Sequence, residues 1–473
     1  MATKGRGVSK ASSSKGAGKT SGKKAPSKDS KKPPRVFPVL TKGIEFEFLV
    51  PWHFDVDEDG NGGTALAPDQ RYRITDGYVI VARHTVATDS SGAASMSTWN
   101  AAMTMVRVAI YDVLVANGVQ VNVPGGFTIP AFDPTHPRAA LTRGAGFLRW
   151  NVNSDSSITT DLDAGDWVEC VDPPQTEFDL ADIELITPVL EANNAASDAE
   201  ITNAIGILRA HFLCFTPTSS GLHVHVGQGS VLYEEEDLKR IAGVLFAIDV
   251  WFQRLHPNHR QNSMYCVSTR RKSFLAHGYT AKQAHDMEYG LLGNPFNNPS
   301  ITPGNPAPDV IQAWKEIEAA SDSRVVLKLL HTFSMSTYNF KGVLSPNKPT
   351  IEFRQAAGSL NAEWAVHWSN LAAGVVDWAR RCDGNDSADE LRAFLSQASL
   401  KESSPNTQAF SLINMIRDRF RLPAVADYLE RVPGPDHRAT PRATGQQARW
   451  RENFRRRSGR RLGVMRPRTD WPP

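Results

Sequence analysis

Three stretches of the chain alternate apolar with polar residues: Gly43-Ile44-Glu45-Phe46-Glu47-Phe48, Gly221-Leu222-His223-Val224-His225-Val226-Gly227 and Thr350-Ile351-Glu352-Phe353-Arg354. A period of two marks a half-buried β-strand, because residues i and i+2 project to one face. Glu45 then projects with Glu47, His223 with His225, and Glu352 with Arg354, while the Ile, Phe, Leu and Val residues turn to a core. If the three strands share a sheet, one face gathers three carboxylates, two imidazoles and a guanidinium. Burying such a face is costly unless something binds there.

The remaining pattern mixes both periods. Apolar spacings of three and four predict a helix over 98–117, stopped by Gly118. Strands are expected at 43–50 (closed by Pro51), 119–123, 147–152, 167–171, 182–188 and 336–340. Ser197 followed by Glu200 has the form of a capping box, opening a helix over 198–213. Residues 233–256 read as the clearest helix, with acids in the first turn and His256 at the end, as the helix dipole favours. The polar stretch 257–266 reads as a loop. Further helices are predicted at 309–330, 361–380, 386–398 and 406–421, with Trp364 and Trp368 as core residues. No repeat of fixed period occurs. This order of elements predicts an α+β fold with a mainly antiparallel sheet.

Charge divides the chain into three parts. Residues 1–35 are Lys- and Ser-rich with a balance of +10, and the Arg-rich residues 431–473 carry +9. The stretch between, 36–430, is left with −16, so an acidic body is flanked by basic arms. Residues 1–35 have almost no large apolar side chain to build a core, and both arms are expected to be disordered. Such arms suit nuclear import or nonspecific nucleic-acid binding. Residues 36–430 are expected to form the functional domain, with 267–308 as a lid or insertion, its second half rich in Asn, Pro and Gly. The sequence shows neither a run of ~18 apolar residues nor a secretory h-region, so no membrane partner and an intracellular location, cytoplasmic or nuclear, are expected. Cys170, Cys214, Cys266 and Cys382 form no CxxC pair, which fits reduced thiols.

Two histidines on one strand face are a frequent metal-ligand geometry. Three Glu with one His suit Mg²⁺ or Mn²⁺ better than structural zinc. Arg354 beside such ions would meet an anion, most simply a phosphate. Carboxylate-held metals with an arginine make up the kit for phosphoryl transfer. Other kits are missing. Gly18-Lys19-Thr20 is a near-miss P-loop with Ser13 in place of the first glycine, and neither a GxGxxG in a strand–helix setting nor a GxSxG elbow occurs. The acidic run from Asp55 has Leu66 where a calcium loop places its bidentate glutamate.

In this order, the GIEFEF, GLHVHVG and TIEFR strands resemble those of the amidoligase family. That family belongs to the carboxylate–amine ligase superfamily of glutamine synthetase and glutamate–cysteine ligase. WNVNSDSS (150–157), IELITP (183–188, Thr187 replacing the usual Ser), HRQNSMYC (259–266) and STYNFKG (336–342) are similar to further family segments. The resemblance spans residues ~40–370. It implies a glutamine-synthetase-like catalytic domain, its curved antiparallel sheet lined with metal ligands on one face and covered by helices on the other. It implies that ATP phosphorylates a carboxylate and that an amine attacks the acyl phosphate, giving an amide or isopeptide bond. The substrates would be small-molecule or peptide carboxylates and amines, the cofactors ATP and Mg²⁺ or Mn²⁺. Carried over, Glu45, His223 and Glu352 hold the ion at the β/γ-phosphates, and Glu47 and Glu184, with Asp155, hold a second. Arg354 stabilises the transferred phosphoryl group and His225 orients substrate or phosphate. Arg260 grips a carboxylate or phosphate, with Asn262 beside it at the nucleotide. The rival expectation is an inactive ligase-fold scaffold, or a nucleic-acid-associated protein binding through its basic arms.

Overall fold

The structure is a computed structural model that describes residues 35–55, 65–86, 96–124, 132–142, 144–158, 179–261, 263–295, 298, 300–330, 335–383, 385–403, 411–432 and 434–435. It divides into residues 1–37 and residues 38–473. Nearly all of both basic arms, the strand expected at 167–171, and Asn262 lie outside the described residues.

Among the described residues, nine strands form one largely antiparallel sheet. They are β1 (Thr41–Phe54), β2 (Tyr72–Thr75), β3 (Tyr78–Val81), β4 (Asn151–Asn153), β5 (Asp179–Ile186), β6 (Leu190–Glu191), β7 (Gly221–Gly227), β8 (Tyr338–Asn339) and β9 (Thr350–Ala357). The three alternating stretches lie side by side: β7 pairs with β1 on one flank and with β9 on the other. On the far side of β1 lie β5 and then β4. The chain is thus an α+β protein.

Among the described residues, twelve α-helices accompany the sheet: α1 (Met96–Ala116), α2 (Ala195–His211), α3 (Glu235–Phe252), α4 (Asn258–Gln261), α5 (Thr269–Lys272), α6 (Ala281–Glu288), α7 (Val310–Glu318), α8 (Ser323–Leu330), α9 (Ala362–Arg381), α10 (Asn385–Ser403), α11 (Leu412–Asn414) and α12 (Pro423–Arg431). Ile44, Phe46 and Phe48 of β1, Leu222, Val224 and Val226 of β7, and Ile351 and Phe353 of β9 are fully buried in one core with α2, α3 and α9. Trp364 and Trp368 stack inside that core with ring centroids 5.7 Å apart, as their one-turn spacing predicts. α1 is long and apolar enough by composition to cross a membrane, with mean hydropathy 1.2. Its stripe of Ala102, Val106, Ala109, Ile110 and Leu114 is instead buried in the core, and Tyr72 on β2 donates to its Asp112 at 2.6 Å.

Several elements depart from the sequence reading. β1 does not stop at Pro51 but runs on to Phe54, because its end pairs in parallel with β3. Leu49 bonds Phe215 on the flank β7 has left. Alternation puts the proline nitrogen on that same flank, before β3 begins, where its missing N–H interrupts no ladder. β2 and β3 join through Asp76-Gly77, both left-handed at φ +50° and +91°, the two-residue hairpin turn that Asp-Gly favours. The strand expected at 119–123 shrinks to one parallel bridge, Val121 to Trp150, and the one at 147–152 begins only at Asn151. α2 starts earlier than Ser197, since the Asn194 side chain accepts from Ala196 and Ser197 N–H. Glu200 is engaged elsewhere, by Arg138 and by Trp150 Nε1 at 3.0 Å. The helix expected at 309–330 breaks into α7 and α8, and of the one at 406–421 the described residues hold α11 followed by a short π-helix, Met415–Arg419. In the segment 267–308, Leu275 just after α5 and Ala281 and Ala284 of α6 join the main core.

Candidate metal centre

Strand register sets the site. β1 and β7 place Glu45 opposite His223 and Gly43 opposite His225. β7 and β9 place His225 opposite Glu352, with a register shift between Leu222 and Val224. β1 and β5 place Glu47 opposite Glu184. All of these side chains project away from the Ile/Phe/Val core.

His223 Nδ1 is the hub. It lies 3.4 Å from Glu45 Oε2, 3.2 Å from Glu47 Oε1 and 3.7 Å from Glu352 Oε1. One imidazole N–H satisfies at most one of three carboxylates. Glu47 Oε1 is left buried without a hydrogen-bond partner, while Glu47 Oε2 accepts from Gly221 N at 2.5 Å. Gly221 is required here, because a Cβ would come within 2.3 Å of His223 Nε2. Glu45, His223 and Glu352 each offer a ligand atom within 4.8 Å of the others, the geometry of a metal site.

Cations surround the cluster. Lys348 Nζ lies 3.0 Å from Glu45 Oε1 and 3.2 Å from His225 Nε2. His225 Nε2 is 2.8 Å from the same Glu45 oxygen, and its Nδ1 is 3.1 Å from Thr350 Oγ1. Arg354 binds Glu352 Oε1 through Nη1 and donates from Nε to Tyr265 O at 3.3 Å. Asn339 donates to Glu352 Oε2 at 2.8 Å.

Protonation follows from these neighbours. Burial pushes the Glu45 carboxyl up, but His225, His223 and Lys348 outweigh it and hold the group well below its usual range. Glu352 is lowered in the same way, burial being overcome by His225, His223 and Arg354. Glu47 is raised by burial, with His223 and the Gly221 N–H opposing and Asp155 adding. Burial, then Glu45, Asp155 and Glu47, push Glu184 up to about 8.

The structure therefore brings Glu45, Glu47, Glu184, His223, His225, Glu352 and Arg354 onto one face. Asp155 is near enough for its charge to act on Glu47 and Glu184, and one of its oxygens accepts from Ser157 N at 2.7 Å. Arg260 is held by main-chain carbonyls. It is 1% exposed and donates to Ser220 O at 3.3 Å and to Arg354 O at 2.8 Å. Its guanidinium ties the lead into β7 to β9, and its charge acts on Glu47. The sequence reading missed Lys348, whose only signal was a cation in the short run ahead of β9. Five carboxyl groups gather near the charges of Lys348, Arg354 and Arg260, and a divalent cation among them would favour their ionised forms.

A sequence model of the family described as "Putative amidoligase enzyme" matches residues 39–290, just over half of the chain. The match contains every candidate acid and imidazole except Glu352, which β9 delivers together with Arg354. No curated protein matches the chain.

Proposed function

The chain belongs to this amidoligase family, and from that premise we propose that it is an ATP- and Mg²⁺-dependent (or Mn²⁺-dependent) carboxylate–amine ligase on a glutamine-synthetase-like sheet. The observation that carries the reading is the Glu45–His223–Glu352 triad, with its ligand atoms within 4.8 Å and Arg354 against it. The buried, unpartnered Glu47 Oε1 supports it further. An oxygen-rich donor set with one imidazole suits a hard divalent ion.

Glu45, His223 and Glu352 would hold one ion, and Glu47 and Glu184, with Asp155, another. Bound there, the ions would neutralise phosphate charge and polarise the phosphoryl group. The chain's own residues then act around ATP and substrate. Arg354, anchored on Tyr265 O and Glu352, keeps Nη2 for the phosphoryl oxygens, where charge develops. His225, fixed between Thr350 and Glu45, orients the reacting anion. A carboxylate oxygen attacks the γ-phosphorus and ADP leaves. The amine nitrogen then attacks the acyl carbon, loses a proton and expels phosphate. Phosphorylation is needed because a free carboxylate has no adequate leaving group. Every carboxylate this chemistry needs is retained, which favours the active enzyme over an inactive scaffold that binds nucleic acid through its arms.

Mn²⁺ titration of the purified chain, read by loss of the free-ion paramagnetic signal, tests the site. Wild type should bind, and Glu352→Gln should bind at least about tenfold more weakly. Equal titrations would refute the assignment.

A further inference from the structure

Beside Glu45 and His225, the chain ahead of β9 closes a pocket of about 40 Å³. Gly43, the register partner of His225, lies at its wall. A Cβ on Gly43 would meet nothing nearer than 3.9 Å, from His225 Cβ and Thr187 Oγ1. Packing therefore does not demand glycine there, and the missing side chain leaves room for another group.

Three buried threonines line the same pocket. Thr41 Oγ1 accepts from Gly229 N at 3.1 Å, Thr142 Oγ1 from Gly144 N at 3.0 Å, and Thr187 Oγ1 from Ile44 N at 2.9 Å. Each hydroxyl acts as an acceptor in these bonds, so its own O–H remains to be donated. Lys348, on the rim, donates one of its three N–H groups to Glu45 and lies beside His225, with a further N–H to give. Four donors in hand around one small pocket call for a group that only accepts, since buried donors without acceptors are destabilising.

Charge narrows the choice. Glu45 lines the same pocket, so a singly charged carboxylate meets less repulsion there than a phosphate dianion would. Phe147 and Pro188 supply an apolar wall for the carbon that bears it.

We infer that this pocket is the subsite for the substrate's carboxylate, held by Lys348 and by the hydroxyls of Thr41, Thr142 and Thr187. That the carboxylate is the substrate's rests on the ligase reading; the carboxylate chemistry rests on the residues that line the pocket. The subsite places the group at the Lys348–His225 edge of the metal cluster, on the side of Glu45 away from Glu47.

Acetate is the probe, with saturation-transfer NMR on its methyl signal as the readout, in wild type, Gly43→Ala and Lys348→Met. Wild type should give a saturable signal, both variants should weaken binding at least about tenfold, and inorganic phosphate should not displace acetate. Gly43→Ala adds one methyl group to open space, so an unchanged melting temperature shows that only the pocket has changed. No acetate binding in wild type, equal binding in Gly43→Ala, or displacement by phosphate would overturn the assignment. Mn²⁺ titration of the same samples separates the two ideas. Loss of Mn²⁺ binding in wild type would remove the ligase reading while leaving an acetate signal as a carboxylate site. Retained Mn²⁺ binding without acetate binding would remove the subsite alone.

Discussion

Glu47 on β1 and Glu184 on β5 are direct cross-strand partners on the polar face of the sheet. Like charges in that position repel, and burial leaves little water to screen them. The pair is tolerable if one member is protonated or a cation lies between them. Glu184 takes the first course in the metal-free protein, pushed up to about 8 by burial, Glu45, Asp155 and Glu47.

Stability of the metal-free protein should therefore fall as pH rises. The unfolded glutamate titrates near 4.5 and the folded one near 8. Between these values the native state holds the extra proton, so this contribution is full below the lower value and lost on approach to the higher. Glu184→Gln should flatten the decline in melting temperature over that window. An identical slope in the variant would show that Glu184 does not carry it. Divalent ion binding should also release a proton near neutral pH, visible as a buffer-dependent heat.

Gly221→Ala should damage the site more than the fold. Its Cβ would press within 2.3 Å of His223 Nε2 and displace the imidazole that three carboxylates share. Overpacking of this kind costs about 1–3 kcal/mol. Mn²⁺ affinity should drop while circular dichroism keeps the native spectrum; unchanged affinity would exclude His223 as a ligand.

Arg260→Met separates a structural tie from a ligand grip. Losing two charged hydrogen bonds to buried carbonyls should cost about 2–4 kcal/mol in urea unfolding. A variant with native stability that binds substrate poorly would establish the gripping role read from the sequence.

Lys42 makes a similar case on the helix side of the sheet. Its fully buried ammonium donates to Asp198 at 2.5 Å and to Asn370 at 2.7 Å. Lys42→Met should destabilise the fold by about 2–3 kcal/mol, and adding Asp198→Asn should recover part of the loss. A double variant no better than the single would show that the two do not act as a pair.

The sheet was legible where the pattern was longest. The β7 stretch coincides with its predicted limits, because glycines bound it and each His alternates with a core residue. The hub formed by Glu45, His223 and Glu352 follows from alternation plus the pairing of three strands. What stayed hidden came from tertiary context. Lys348 reaches the cluster from a loop, where no periodicity points. Arg260 reads alike as a grip or a tie until burial is known. Asn194 outcompetes Ser197 as the cap because Glu200, needed for a capping box, is engaged by Arg138 and Trp150. The β2–β3 hairpin did carry a signal, Asp76-Gly77, but strands of four residues are too short for alternation to stand out.

The central claim, an acyl phosphate made at the Glu45–His223–Glu352 face, is tested most directly by carboxylate-dependent ADP release in the presence of hydroxylamine, which traps acyl phosphates as hydroxamates. The account predicts that wild type with Mg²⁺ and a productive carboxylate from a screened panel forms ADP and hydroxamate in equal amounts, and that Glu352→Gln forms neither. Equal background release in both proteins, without hydroxamate and without binding of metal–nucleotide, would contradict it.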